Sequence, residues 1–272
     1  METANVDGTK LEYEVKGSGE PVLMISTGPI ADSFLPLFVE KALDRYRLIR
    51  YRQRRLDRGN GATPVSFARH AADAAGLLGH LGVRRAHVAG HSTGAVIALQ
   101  LAVDRPDLVQ SLALLEPPLA AAPGAGAFFE KAEPALAAYG AGDREGAVAR
   151  FLSAVSSLDW ETCRSVIETS VPGGVARAMT SADDLFGSYL PAIGAWQFGP
   201  AQTAAIAQPV LSVVGTDSDR WFAGGHALLH EWFPRAEDCT VEGVAHLLHL
   251  QRAEPVARGV GRFLARHPMM ES

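Results

Sequence analysis

Three residue types able to share one proton relay stand at separate points of the chain. They are Ser92 in Gly90-His91-Ser92-Thr93-Gly94, Glu116 at the end of an apolar run, and His246 in Gly243-Val244-Ala245-His246. A serine hydroxyl is a weak nucleophile. To attack a carbonyl it needs a tight turn that exposes its oxygen, an imidazole to take its proton, and N–H groups to receive the oxyanion. Glycines two residues either side of Ser92 suit that turn, because a strand doubling back into a helix leaves no space there for side chains. The flanks agree with it: Ala86 to Ala89 reads as a strand and Ala95 to Val103 as a helix.

His246 follows the last expected strand, Cys239 to Val241, with Gly243 freeing the connection and Leu247-Leu248 able to anchor a helix behind the ring. His249 is the competing base, but it falls inside that helix. The imidazole needs a carboxylate to hold its tautomer. Glu116 ends the run Leu112 to Leu115 and precedes Pro117-Pro118, a position where an unpartnered charge is costly to desolvate. Asp217, in the Gly215-Thr216-Asp217-Ser218-Asp219 loop after Val210 to Val214, is the alternative acid and equally an ordinary turn residue. One oxyanion donor is the N–H of Thr93. The second comes from Ser26-Thr27-Gly28-Pro29, and since proline carries no N–H, Thr27 and Gly28 are the candidates.

The elements that must position these groups are short apolar runs alternating with helical patterns, which argues for an α/β protein with a mainly parallel sheet covered on both faces. Leu11 to Val15 reads as an exposed antiparallel edge strand. Val22 to Ile25, Arg47 to Tyr51, Ala86 to Ala89, Ser111 to Leu115 and Val210 to Val214 read as buried strands. Val65 to Leu81 has helical spacing with Ser66 as its N-cap and Gly82 as its stop, and Ala95 to Asp104, Phe222 to Phe233 and Pro255 to Arg266 are further helices. After Glu116 the strands cease. Residues 117–199 read as an inserted helical cap on a core formed by 1–116 and 200–272. Within that cap Phe128, Phe186, Tyr189 and Trp196, with His91 beside the nucleophile, are the candidate substrate contacts.

Composition narrows the classes. A length of 272 residues, 47% hydrophobic and 20% charged, suits one soluble domain with an insertion. A net charge of −5 argues against nucleic acid as a partner and favours a small-molecule substrate. No apolar run is long enough to span a membrane, and Met1 to Gly8 is acidic rather than a basic-then-apolar leader, so the cytoplasm is the expected location. The two cysteines, Cys163 and Cys239, show neither metal-ligand nor disulfide spacing, and no metal or cofactor is expected. The sequence is compatible with a homodimer but contains no feature that specifies one. The arginine-rich stretch Arg45 to Arg58 reads as a solvated face ion-paired to Asp44 and Asp57, or else as an anchor for an anionic substrate group.

Through Arg47 to Tyr51, Ala86 to Gly94, Leu112 to Pro118 and Gly243 to Leu248, the chain resembles the α/β-hydrolase superfamily over roughly residues 8–267, in particular its small actinobacterial-type members. The resemblance implies an α/β-hydrolase fold, Ser92 as nucleophile and His246 as base. A glutamate after the strand that follows the elbow is similar to the acid of zearalenone-type lactonases, which supports Glu116. Serine at the elbow argues against relatives that use an aspartate nucleophile. The chain departs from the family at Ser26-Thr27-Gly28, where His-Gly is common, at Ala95, where a second glycine is common, and at the arginine-rich Arg52 to Gly61. The implied activity is cofactor-free cleavage of a fairly apolar carboxylic ester or lactone through an acyl-enzyme. A thioesterase, a C–C bond hydrolase, a perhydrolase, or an accessory protein that has kept the fold without turnover are the alternatives.

Overall fold

The computed structural model of the chain describes residues 1–55 and 64–269. Its strands are β1 (Glu2–Val6), β2 (Thr9–Lys16), β3 (Pro21–Ile25), β4 (Arg47–Tyr51), β5 (Ala86–His91), β6 (Val109–Leu115), β7 (Val210–Gly215) and β8 (Glu237–Val241). They form one sheet in the order β1-β2-β4-β3-β5-β6-β7-β8, antiparallel at β1-β2-β4 and parallel from there on. This is the α/β-hydrolase fold expected from the sequence.

Strand β1 was not expected. Its signal lies in Asp7-Gly8, a two-residue turn with both φ values positive (46° and 76°) that closes a hairpin pairing Val6 with Thr9. Alternation then places Ala4 and Val6 inward.

Alternation also divides the core between the two faces of the sheet. On β3, Leu23 and Ile25 point into one apolar layer, and Val22 and Met24 into the other. The first layer is built against helices α1 (Phe67–His80), α2 (Thr93–Asp104) and α7 (Arg220–Trp232), and the second against α8 (Ala253–Arg266) and the turn Leu35–Phe38. Ser66 caps α1 by accepting from the Arg69 N–H at 3.2 Å, as its position before the apolar periodicity led us to expect.

Between β6 and β7 the described chain is helical: α3 (Ala125–Gly140), α4 (Arg144–Ser156), α5 (Trp160–Ser170), α6 (Gly174–Thr180) and a series of short turns up to Thr203. Trp221 ties this segment to the sheet, donating its indole N–H to the Leu119 carbonyl (2.8 Å) and packing against Phe128. No helix among the described residues is long and apolar enough to cross a membrane.

The arginine run behaves differently from either expectation. Asp57 and Arg58 lie outside the described residues, and Asp44 pairs with Lys16 instead. Arg50 and Arg52 converge on Asp32, at 2.6 Å and 2.8 Å, with Arg177 of α6 on the same carboxylate at 3.3 Å, while Arg54 holds Asp73 and Arg55 holds Asp184. Burial works to raise the Asp32 carboxyl, but the guanidiniums outweigh it and hold it below its ordinary value. Asp32 lies in the loop after β3 and thereby fixes the segment that carries Thr27. Removing one partner of a buried pair leaves an uncompensated charge. Asp32→Ala is therefore expected to lower stability by about 3 kcal/mol, whereas Lys16→Ala, whose pair is half-exposed, should cost under about 1 kcal/mol; urea-unfolding midpoints compare the two.

Candidate active site

Register sets the site. His91 of β5 pairs with Leu115 of β6, so the next residues, Ser92 and Glu116, both emerge just beyond the strand ends. Both turn sharply there. Ser92 has φ 54° and Glu116 φ 47°, left-handed values for non-glycine residues that cost of order 1–3 kcal/mol and persist only where the surroundings impose them. The imposing contacts are the Ser92 N–H donated to the Leu115 carbonyl at 2.8 Å and the Glu116 N–H donated to Val213 at 3.2 Å. The glycines have steric reasons: a Cβ on Gly90 would lie 2.4 Å from the Gly94 carbonyl oxygen, and one on Gly94 only 2.0 Å from that of Ile25. At Ala95 a methyl is accommodated, fully buried.

Glu116 is 2% exposed and its carboxylate is satisfied on both oxygens. Oε2 accepts from His246 Nδ1 at 2.7 Å; Oε1 accepts from the Gly215 N–H at 2.8 Å and from the Ser218 hydroxyl. A proton on Nδ1 leaves Nε2 as the basic nitrogen of the ring. The imidazole is also clamped between rings, with Phe222 stacked on it at 3.9 Å and 13° and His91 tilted against it at 4.7 Å. His91 donates from Nε2 to the His246 carbonyl at 2.9 Å, so it holds the backbone of the same residue.

The alternative acid does not reach the ring. Asp217 is exposed and accepts from the Thr216 hydroxyl at 3.0 Å. Its loop serves the glutamate instead, through Gly215 and Ser218. His249, the competing base, has no carboxylate partner; it is wholly buried between Phe34 and His91, with neither ring nitrogen hydrogen-bonded among the described residues.

The two candidates for the second oxyanion donor also separate. Gly28 donates its N–H to Thr93 Oγ1 at 3.1 Å. The N–H groups of Thr27 and Thr93 have no partner among the described residues, and both residues line the same cavity as Ser92 and His246. That cavity is about 30 Å³, room for a water molecule or two. Apart from Thr27, His91, Ser92, Thr93 and His246, its walls are apolar.

Of the five expected substrate contacts, only His91 lines this cavity. Phe128 is committed to Trp221, Phe186 stacks on Tyr139, and Trp196 donates to Gln100 and stacks on Phe198. Tyr189 stacks on His70, donates its hydroxyl to Gln53, and faces a neighbouring polar depression shared with Arg52 and Arg177. These four rings join elements to one another. The walls come instead from Phe151 and from aliphatic residues of the helical segment, including Leu152, Val155, Leu190 and Ile193, together with Ile30, Trp221 and Phe222. Their helical spacing marks them as buried, but nothing in the sequence separates a wall residue from a core residue.

Against known proteins, residues 21–253 match the model of the alpha/beta hydrolase fold family, and the chain belongs to that family. It is 33% identical over 116 residues to a proposed carbamate hydrolase, RutD, of Azorhizobium caulinodans, a match covering 42% of this chain and 44% of that one. The chain thus aligns with under half the length of the curated relatives it matches. Among solved structures it is similar to the enol-lactonase of Burkholderia xenovorans LB400, with TM-score 0.80 and 19% identity, over 97% of this chain and all of the other. It is also similar to Est816, described as an N-acyl homoserine lactone degrading enzyme, with TM-score 0.69 and 23% identity over 97% of this chain and 100% of that one.

Burial pushes the His249 ring down to about 3 and His91 well below its ordinary value. Both stay neutral in the folded chain at pH values where an unfolded histidine, titrating near 6.5, takes a proton. Neither ring affects the balance above about pH 6.5; below it the unfolded chain takes protons that the folded chain does not, so stability falls by up to about 1.4 kcal/mol per pH unit for each ring, for His249 down to about pH 3. Urea midpoints measured from pH 7 to 4.5 should fall less steeply in His249→Leu than in the wild type. An unchanged pH dependence would contradict this account.

Proposed function

We propose that the chain is a cofactor-free serine hydrolase that cleaves a fairly apolar carboxylic ester or lactone through an acyl-enzyme on Ser92. The observation that carries the reading is the buried 2.7 Å contact of Glu116 with His246 Nδ1, on an imidazole that shares one small apolar cavity with Ser92. In this scheme the Ser92 oxygen bonds to the acyl carbon while its proton passes to His246 Nε2. The oxyanion is received by the N–H groups of Thr93 and Thr27. As the tetrahedral intermediate collapses, the acyl C–O bond breaks and His246 returns the proton to the leaving oxygen. Water repeats the sequence in the second half, giving the acid and free Ser92.

Glu116 holds the ring in the Nδ1–H tautomer and balances the imidazolium, and its two further donors hold it in place. The apolar walls favour a substrate with little polarity beyond the reacting carbonyl. The names carried by the relatives, a carbamate hydrolase and two lactone enzymes, all concern an acyl carbonyl, which agrees with this class. A cavity of about 30 Å³ admits no such substrate as it stands. In this reading residues 117–199 act as a cap that parts from the core around Leu185 and Leu190, which bracket the π-helical turn Leu185–Tyr189.

A fluorophosphonate should add one adduct to the wild type, seen by intact mass, and none to Ser92→Ala. An unlabelled wild type would sink the proposal in favour of an accessory protein on the same fold. With a p-nitrophenyl ester as substrate, Glu116→Gln should lose about a thousandfold or more in kcat, while Asp217→Ala keeps wild-type turnover. Collapse of the second variant alone would reassign the acid.

A further inference from the structure

On the side of α7 that meets β7 and β8, His226 and His230 stand one helical turn apart, so their rings lie on one face. Asp238 of β8 rises opposite them. Its Oδ1 is 3.1 Å from His226 Nε2 and 2.7 Å from His230 Nε2, and one ligand atom from each residue falls within 4.8 Å of the others. We propose that these three residues bind one divalent transition-metal ion of the zinc type.

The donor chemistry fits. Two imidazoles and a carboxylate suit a borderline ion such as Zn²⁺, and not a hard one such as Mg²⁺ or Ca²⁺. With bonds of about 2.0–2.1 Å, neighbouring ligand atoms around a tetrahedral zinc lie roughly 3.3 Å apart, so small side-chain rotations suffice from the separations seen. One ring is already oriented: His226 Nδ1 is held at 2.7 Å by the hydroxyl of Ser212, a buried residue of β7. With that hydroxyl accepting from Nδ1–H, the Nε2 lone pair points to the ion, the supporting contact usual behind metal-bound histidines. The rings are 23% and 29% exposed and the carboxylate 59%, so an ion can reach them and water can complete its coordination.

None of the three residues lines the serine cavity or is hydrogen-bonded to Ser92, Glu116 or His246 among the described residues. The cluster nevertheless joins two elements that serve that cavity. The first turn of α7 carries Trp221 and Phe222, both cavity walls, and β8 leads into the loop carrying His246. A bound ion would fasten one to the other as a structural clamp.

Isothermal titration of the metal-free chain with Zn²⁺, paired with thermal unfolding, tests this. The wild type and Ser92→Ala should each bind one ion with a micromolar or tighter Kd, and at a hundredfold excess over Kd should melt about 5 °C or more higher. Both effects should vanish in His226→Gln/His230→Gln and in Asp238→Asn, and Ser212→Ala should weaken binding about tenfold or more. Absence of saturable binding by the wild type overturns the proposal, and so does binding that survives in the double histidine variant.

Discussion

The buried hydrogen bond between Glu116 and His246 is the contact on which the arrangement of the sheet's carboxyl edge depends. A carboxylate 2% exposed is affordable only if both its oxygens are hydrogen-bonded, and here the partners come from three different places in the chain. His246 arrives from beyond β8, the Gly215 N–H from the end of β7, and the Ser218 hydroxyl from the following turn. Each must be in register. Gly215 can approach because it lacks a side chain: a Cβ there would lie 2.3 Å from the Val244 carbonyl oxygen. The same strand order that places Glu116 also places Ser92, since β5 and β6 end side by side and both residues take left-handed backbone values at their exits. Strain at these two points is sustained by the sheet beneath them.

This explains what could be read from the sequence. Strand β4 ends where its apolar run ends, and β3, β5, β6 and β7 each contain the run expected, because buried parallel strands need continuous apolar stretches. Ser92, Glu116 and His246 were legible because each sits where a strand pattern stops, and strand ends are the places such a fold brings together. The choice between Glu116 and Asp217 was not legible. Both follow strands, and only the path of the side chain shows that the Asp217 loop donates to Glu116 while Asp217 itself stays in water.

The aromatic residues of 117–199 misled for a related reason. Large rings between helices bury the most surface per residue, so in a segment with no strands they are first used to hold it together. Phe128 on Trp221 and Phe186 on Tyr139 do this. Apart from Phe151, this segment's share of the cavity wall is leucine, isoleucine, valine and proline. The shape of the cavity is then set largely by small differences in side-chain volume, a quantity that no spacing pattern records.

The basic run shows the opposite balance. Read alone, successive arginines suggest an anion site or a solvated face; in the folded chain Arg50 and Arg52 are both turned toward Asp32 and neutralised there, joined by Arg177 from the helical segment. A guanidinium already bonded to a buried carboxylate has little capacity left for a ligand anion. What the run does is bind the loop after β3 to β4 and to helix α6 at once. The N–H of Thr27 therefore sits on a loop anchored from two sides: Arg50 of β4 and Arg52 just beyond it hold Asp32 from the sheet, and Arg177 holds it from the helical segment, so the position of that N–H depends on both.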